Sequence, residues 1–287
     1  MAYGSPDGEE GIEPYYTHIR GGRPPSAEAL VELRGRYRAV GGSPLTEITR
    51  AQARALAERL EMPVFAGMKH APPFIADAVA EARAAGIERL VGLPLAPHYA
   101  EMSLGAYHDA LRKSWDGDLI FVRGFHDHPA FIAAVRTLLD EALTGFEAER
   151  IFFTAHSLPA RILNEGDPYQ DQLLRTSELV ARRAGIEQWR FSYQSRSHTG
   201  EPWLGPDLIE TIEELAAQGH RAVLVASVGF IADHLEIFYD IDIEAKEKAD
   251  ALGIELRRTP LLNADPRLAR ALHALVAQRV TASAVRS

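Results

Sequence analysis

The 287-residue chain contains no cysteine. That absence rules out disulfides, a thiolate nucleophile, a zinc site built on cysteines and a cysteine-ligated iron–sulfur cluster. No apolar run approaches the roughly 18 residues of a membrane helix, so no transmembrane segment is expected. The opening Met-Ala-Tyr-Gly-Ser-Pro has neither the basic start nor the apolar stretch of a secretory signal, which makes the cytoplasm the expected location. Positive charge is in deficit, 31 Lys and Arg against 40 Asp and Glu, and this argues against a nucleic-acid partner. HExxH and GxxxxGK[ST] are missing, and no GxSxG elbow surrounds Ser157, so the usual signatures of zinc proteases, P-loop enzymes and serine hydrolases are lacking.

What the sequence does contain is regular alternation. Hydrophobic content of 46% and charged content of 25% are those of an ordinary globular protein. Apolar, β-branched runs predict strands over 64–67, 89–94, 118–122, 150–155, 189–194, 222–228 and 254–258. Amphipathic stretches between them predict helices over 27–40, 50–60, 74–84, 104–113, 129–143, 170–183, 207–218, 234–251 and 266–280. Gly86, Gly185, Gly219 and Gly253 each close a helix just before a strand. Such alternation implies parallel sheets covered on both faces. The expected class is α/β, with two doubly wound (Rossmann-like) halves built on four-stranded parallel sheets. The expected divisions are an N-terminal domain at 1–143, a second at 144–264 and a C-terminal helix at 265–287 packing back on the first. Ligands of such folds sit outside the carboxyl ends of the strands, often between the halves.

Two segments concentrate ionisable groups at those ends. The apolar run from Ile151 ends on His156, just before Ser157-Leu158-Pro159. Histidine takes a proton near neutral pH and binds divalent iron, although a structural histidine satisfied by the backbone fits the same pattern. The second segment carries Asp233, His234 and Glu236, then Asp240 and Glu244. In an α-helix the i, i+4, i+8 spacing stacks the last three carboxylates on one face, about 6 Å apart. Like charges at that spacing weaken a helix by a few tenths of a kcal/mol per pair. The ridge therefore calls for a cation or a role in proton transfer, unless it is a solvated acidic face. Asp233 reads equally well as a helix cap.

Basic residues gather near the start: His18, Arg20 and Arg23, then Arg34, Arg36 and Arg38. Six such groups in an acidic chain suggest a local site for an anionic small molecule, against the plainer reading of a solvated helix face and loop. His126-Asp127-His128 precedes Pro129 and reads as a surface turn with a helix cap. The polar loop 194–206 follows a strand, where long loops often border a site.

Taken in order, TAHSLP at 154–159, GDPYQDQL at 166–173, YQS at 193–195, PWLGP at 202–206 and VGFIADHLE at 228–236 resemble ferrochelatase. The resemblance spans essentially the whole chain, and the ordered combination is far more specific than any one piece. EPYYTHIRGG at 13–22 and the lack of cysteine resemble the coproporphyrin-dependent branch. The resemblance implies a chelatase fold and insertion of Fe²⁺, as substrate, into coproporphyrin III for heme synthesis. It implies that His156 and Glu236 meet iron on one side of the ring and Tyr3 on the other. Arg20, Arg36, Tyr37, Ser43 and Tyr107 match positions lining the porphyrin and its carboxylates, with Asp240 and Glu244 as a path for protons or metal. A monomer meeting other heme-pathway enzymes only transiently is the matching expectation. A protoporphyrin IX chelatase, a cobalt or nickel chelatase and a non-enzymatic two-domain binding protein are the alternatives. The family pattern also places an apolar strand ahead of the residues matching 1–4, and it has one more residue between Gly42 and Ser43. The first departure predicts a sheet lacking a strand and a Tyr3 without anchorage.

Overall fold

The computed structural model describes residues 1–197 and 200–284. The N-terminal stretch runs α1 (Ile12–Ile19), α2 (Ala27–Val40), α3 (Leu45–Leu60), α4 (Ile75–Ala84), β1 (Arg89–Gly92), a π-helical segment Glu101–Gly105, α5 (Ala106–Ser114), β2 (Asp118–Phe121) and α6 (Pro129–Leu143). There follow β3 (Arg150–His156), a 3₁₀ turn Ala160–Leu163, α7 (Tyr169–Ala184), β4 (Trp189–Gln194), α8 (Leu208–Ala217) and β5 (Ala222–Ala226). A π-helix Ile237–Ala245, α9 (Lys246–Ala251), β6 (Glu255–Arg258) and α10 (Pro266–Ala284) complete the chain. Among these helices none is long and apolar enough to cross a membrane.

The second half holds a four-stranded, all-parallel sheet in the order β4-β3-β5-β6. Its central β3 is buried from Ile151 to Ala155, as its unbroken apolar sequence requires of a strand covered on both faces. Alternate side chains serve different layers. Ile151 and Phe153 join the core shared with α6, α7 and α10, whereas Phe152 packs with residues of α8 and the π-helix. The helix α10 lies on α3 and α6, burying Leu268, Leu272 and Leu275 beside Leu56, Phe131 and Leu139.

The first sheet departs from expectation. Among the described residues only β1 and β2 are regular strands there, paired in parallel, and in place of the strand predicted at 64–67 there are only isolated bridges from the next residue, Met68, to Ala2 and Phe74. The first residues of the chain lie between the 67–70 segment and residues 93–95, just beyond β1. The Met1 amino group donates to the Leu93 carbonyl at 2.8 Å, and Leu95 N–H donates to Met1 at 2.7 Å. On the other side Ala2 N–H reaches Gly67 at 3.2 Å and Lys69 N–H reaches Ala2 at 2.8 Å. His70 N–H donates to Tyr3 at 2.9 Å. Two backbone bonds on one side and three on the other anchor residues 1–3, contrary to the expectation of a loose terminus.

Two helical readings also change. Helix α1 lies where no helix was predicted; it is only eight residues long, buries only Ile12 and has no side-chain cap, so no start signal marks it. The predicted α-helix over 234–251 is instead a π-helix followed by α9. Such i→i+5 segments are rare and concentrate at functional sites. At a spacing of four residues Glu236, Asp240 and Glu244 still fall along one side of it, and the charges of Glu236 and Glu244 both act on Asp240.

Candidate functional site

The carboxyl end of β3 carries His156, and strand geometry decides which way it faces. The Tyr169 hydroxyl donates to its carbonyl at 3.0 Å. Its Nδ1 is bonded to the Ser157 carbonyl, so Nδ1 carries a proton and Nε2 is left to face the cleft. There Nε2 lies 3.4 Å from Oε1 of Glu236, while Nε2 of His234 lies 3.4 Å from the other oxygen. His234 is oriented in turn by Nδ1 donating to the Ala232 carbonyl at 3.0 Å. Glu236 is thus held between two imidazoles. Burial by itself would raise its pKa, but the charge and hydrogen bond of His156, helped by His234, hold it well below the usual carboxylate range. Burial would lower His156, yet the Glu236 charge, with the bonds to Glu236 and Ser157, raises it above the ordinary histidine value. The pair is ionised at neutral pH.

One turn on, Asp240 is 7% exposed. The Ser195 hydroxyl donates to Oδ2, and an Arg36 guanidinium nitrogen stands 3.6 Å from Oδ1. Burial, and then the Glu236 charge, push Asp240 up to about 7 against these two partners. Glu244 is raised as well, first by burial, with Arg36 opposing. Arg36 bonds Glu32 at 3.1 Å and sits 4.7 Å over the Tyr239 ring, facing both acids from α2.

Near Glu236 lies an aromatic cluster around Tyr3. The Tyr3 ring lies 4.5 Å from that of His70 and 6.4 Å from Tyr15, whose hydroxyl donates to the Gly4 carbonyl at 3.1 Å. Burial, then the Glu236 charge, raise the Tyr3 phenol; Tyr37 is raised by the same first cause and is tied to Tyr15. Tyr107 is buried under the Lys69 ammonium, 5.6 Å from its ring centre.

Other expected residues lie outside this cluster. Ser43 accepts from Leu45 N–H at 3.5 Å and, through its carbonyl, from Ser5 at 3.4 Å. Arg20 is exposed beyond α1, its guanidinium 5.7 Å from the Tyr16 ring. Half of the basic cluster is paired with acids, Arg34 with Glu13, Arg38 with Glu9 and Arg36 as above, while Nδ1 of His18 lies 3.0 Å from Nδ1 of His70. Arg20 and Arg23 have no acidic partner among the described residues. Asp233 caps no helix; its carboxylate bonds Asn263 at 2.6 Å and Arg258 at 3.3 Å. His128 does precede α6 with Pro129 in its first turn. In the loop 194–206, Ser195 adopts φ +61 and Trp203 lies 6.4 Å from His156, ring to ring; His198 and Thr199 lie outside the described residues.

The residues missed at the sequence level are those acting through others. His234, Ser195 and Tyr169 were legible only as members or neighbours of stronger motifs, and Asn263 gave no signal.

The ferrochelatase family model matches residues 1–280. A ferrochelatase of Herpetosiphon aurantiacus is 44% identical over 93% of this chain and 93% of its own. A coproporphyrin III ferrochelatase of Geobacillus sp. is 40% identical over 98% and 96%. Among solved structures, SirB from Bacillus subtilis with Fe³⁺ superposes with a TM-score of 0.59 at 12% identity, covering 83% of this chain and 92% of that one. CbiX, the terminal enzyme of siroheme biosynthesis in denitrifying bacteria, gives 0.55 at 14%, covering 81% and 94%. These two likenesses establish the chelatase fold alone.

Proposed function

The chain belongs to the ferrochelatase family, and from that premise we infer that it is a lyase inserting Fe²⁺ into coproporphyrin III in heme synthesis. The substrate assignment rests on relatives such as the Geobacillus enzyme. The observation that carries the chemistry is the Glu236 carboxylate held 3.4 Å from each of two imidazoles at the mouth of the cleft.

Metallation exchanges two pyrrole N–H protons for one dication, so the ring itself gains no net charge. The protein must hold the ring, bend it so that its nitrogens leave the plane, and take up protons. Bending costs some 1–5 kcal/mol, offset by binding energy from remote parts of the substrate. The ring would lie between the Tyr3 cluster and the His156–Glu236 pair. Glu236 is ionised, and it would become a good proton acceptor once His156 gives up the proton that holds the Glu236 pKa down. His156 gains a free Nε2 lone pair only on losing its own, so iron binding there would release a proton and strengthen with pH. Asp240, titrating near neutrality, and then Glu244 would carry protons or hydrated metal towards solvent. Tyr3 would ligate iron from the other face. Tyr37 and Tyr107 would line the ring, Ser43 and Arg36 would border it, and Arg20 would meet a carboxylate. The working unit is a monomer in the cytoplasm, with domains at 1–143 and 144–264 and the helix after 265 bracing the first.

Anaerobic incubation with Fe²⁺ and coproporphyrin III should give the absorbance change of metallation. No turnover with iron, but turnover with Co²⁺ or Ni²⁺, would reassign the metal.

A further inference from the structure

Glu236 is aligned from a residue 27 positions further along the chain. Asn263 follows β6, and every one of its hydrogen-bonding groups is engaged. Its Oδ1 accepts from Asp233 N–H at 2.7 Å, and its Nδ2 donates to the Asp233 carboxylate at 2.6 Å. Its own N–H donates to the Ile231 carbonyl at 2.7 Å. Its carbonyl accepts from the side-chain amide of Gln52, on α3, at 2.7 Å. Asn263 adopts φ +48, a left-handed conformation that asparagine tolerates better than other side chains. Side-chain acceptor, side-chain donor and positive φ are all needed at once, and asparagine alone supplies them.

The segment so held is 231–233, and Glu236 follows three residues later. Arg258 secures the far side of Asp233 at 3.3 Å while bonding Asp242 at 2.6 Å. The start of the π-helix is thereby fastened both to the second sheet and, through Gln52, to the first half of the molecule. A carboxylate held 3.4 Å from each of two imidazoles needs such support, because side chains at a working site are held by the groups behind them. We propose that Asn263 is a positioning residue for metallation, clamping the Ile231–Asp233 turn to α3 so that Glu236 is held against His156. This rests on the functional reading above.

Asn263→Asp sets two carboxylates against each other, whereas Asp233→Asn with Asn263→Asp exchanges the partners and restores a complementary pair with the same net charge. With Fe²⁺ and coproporphyrin III, Asn263→Asp should lower kcat about tenfold with KM changed less than twofold, and the exchanged pair should recover kcat to within about threefold of wild type. In Asn263→Gly, which keeps the backbone conformation, amide exchange at Asp233 should quicken at least tenfold while β3 amides stay protected. Wild-type kcat in folded Asn263→Asp, a double variant no better than the single one, or unchanged Asp233 exchange in Asn263→Gly would each overturn the proposal. A wild-type protein without turnover would instead sink the functional reading, and the exchange result would still judge the clamp.

Discussion

Nε2 of His156 and Oε1 of Glu236 stand 3.4 Å apart, and each moves the other's titration in its own favour: the imidazole upward, the carboxyl downward. Removing either leaves a partly buried charge without its partner. Because His156 ends β3 with 28% of its side chain exposed, His156→Ala should abolish metallation while leaving the fold intact. Normal turnover in a folded His156→Ala protein would end its catalytic assignment.

The acids beyond the pair should matter in sequence. Glu236→Gln should cost the most in kcat, Asp240→Asn less and Glu244→Gln least, since each lies further from the ring. Steady-state kcat for the three variants is the test, and equal or reversed effects would mean that they form no graded path.

Asp240 makes stability depend on pH. Its folded pKa, about 7, exceeds the 3.8 of a free aspartate, so between those values the folded state binds more protons than the unfolded. Stability is then fully present below about pH 4 and is lost as pH rises through 7. One pKa unit corresponds to about 1.4 kcal/mol, so the loss is on the order of 2–4 kcal/mol. Asp240→Asn should lack this component. Urea unfolding of both proteins at pH 5 and pH 8 should show the variant gaining relative to wild type at the higher pH.

The close approach of the turn after β5 to the end of β3 gives a steric prediction. A Cβ on Gly229 would fall 2.4 Å from the Ala155 Cβ and 2.8 Å from its Cα, immediately before His156. Gly229→Ala should destabilise by about 1–3 kcal/mol, as overpacking typically does. It should also lower kcat by displacing the end of β3. A melting temperature equal to wild type would show that the loop yields freely.

The long apolar strands and glycine-closed helices of the second half were legible because their period and caps agree with the tertiary structure. His156 and Glu236 were legible from their places at strand ends. The π-helix was not, since a sequence with i, i+4 acids looks α-helical and the wider turn is set by packing around Ile237 and Ile241, both fully buried. Helix α1 escaped because it buries one residue. The insertion of Met1–Tyr3 between Met68 and Leu93 is invisible in three residues, and the clamp at Asn263 joins positions 30 and 211 apart with no local pattern to announce it.

Arg20 and Arg36 were expected to act alike on the substrate, and the structure separates them. Arg36 is occupied by Glu32, Asp240 and the Tyr239 ring, so Arg36→Ala should act mainly on kcat, by removing the cation that opposes the raised pKa of Asp240. Among the described residues the Arg20 guanidinium meets only a distant tyrosine ring, which leaves it able to meet a carboxylate. Coproporphyrin III offers four and protoporphyrin IX two. A charge-assisted hydrogen bond contributes about 1.5–3 kcal/mol, and the lower end suits an exposed arginine, which corresponds to roughly tenfold in affinity. Arg20→Ala should therefore raise KM for coproporphyrin III about tenfold and for protoporphyrin IX less, with kcat little changed. Equal KM increases for both porphyrins would show that Arg20 does not read the additional carboxylates, and a wild-type preference for protoporphyrin IX would contradict the substrate assignment itself.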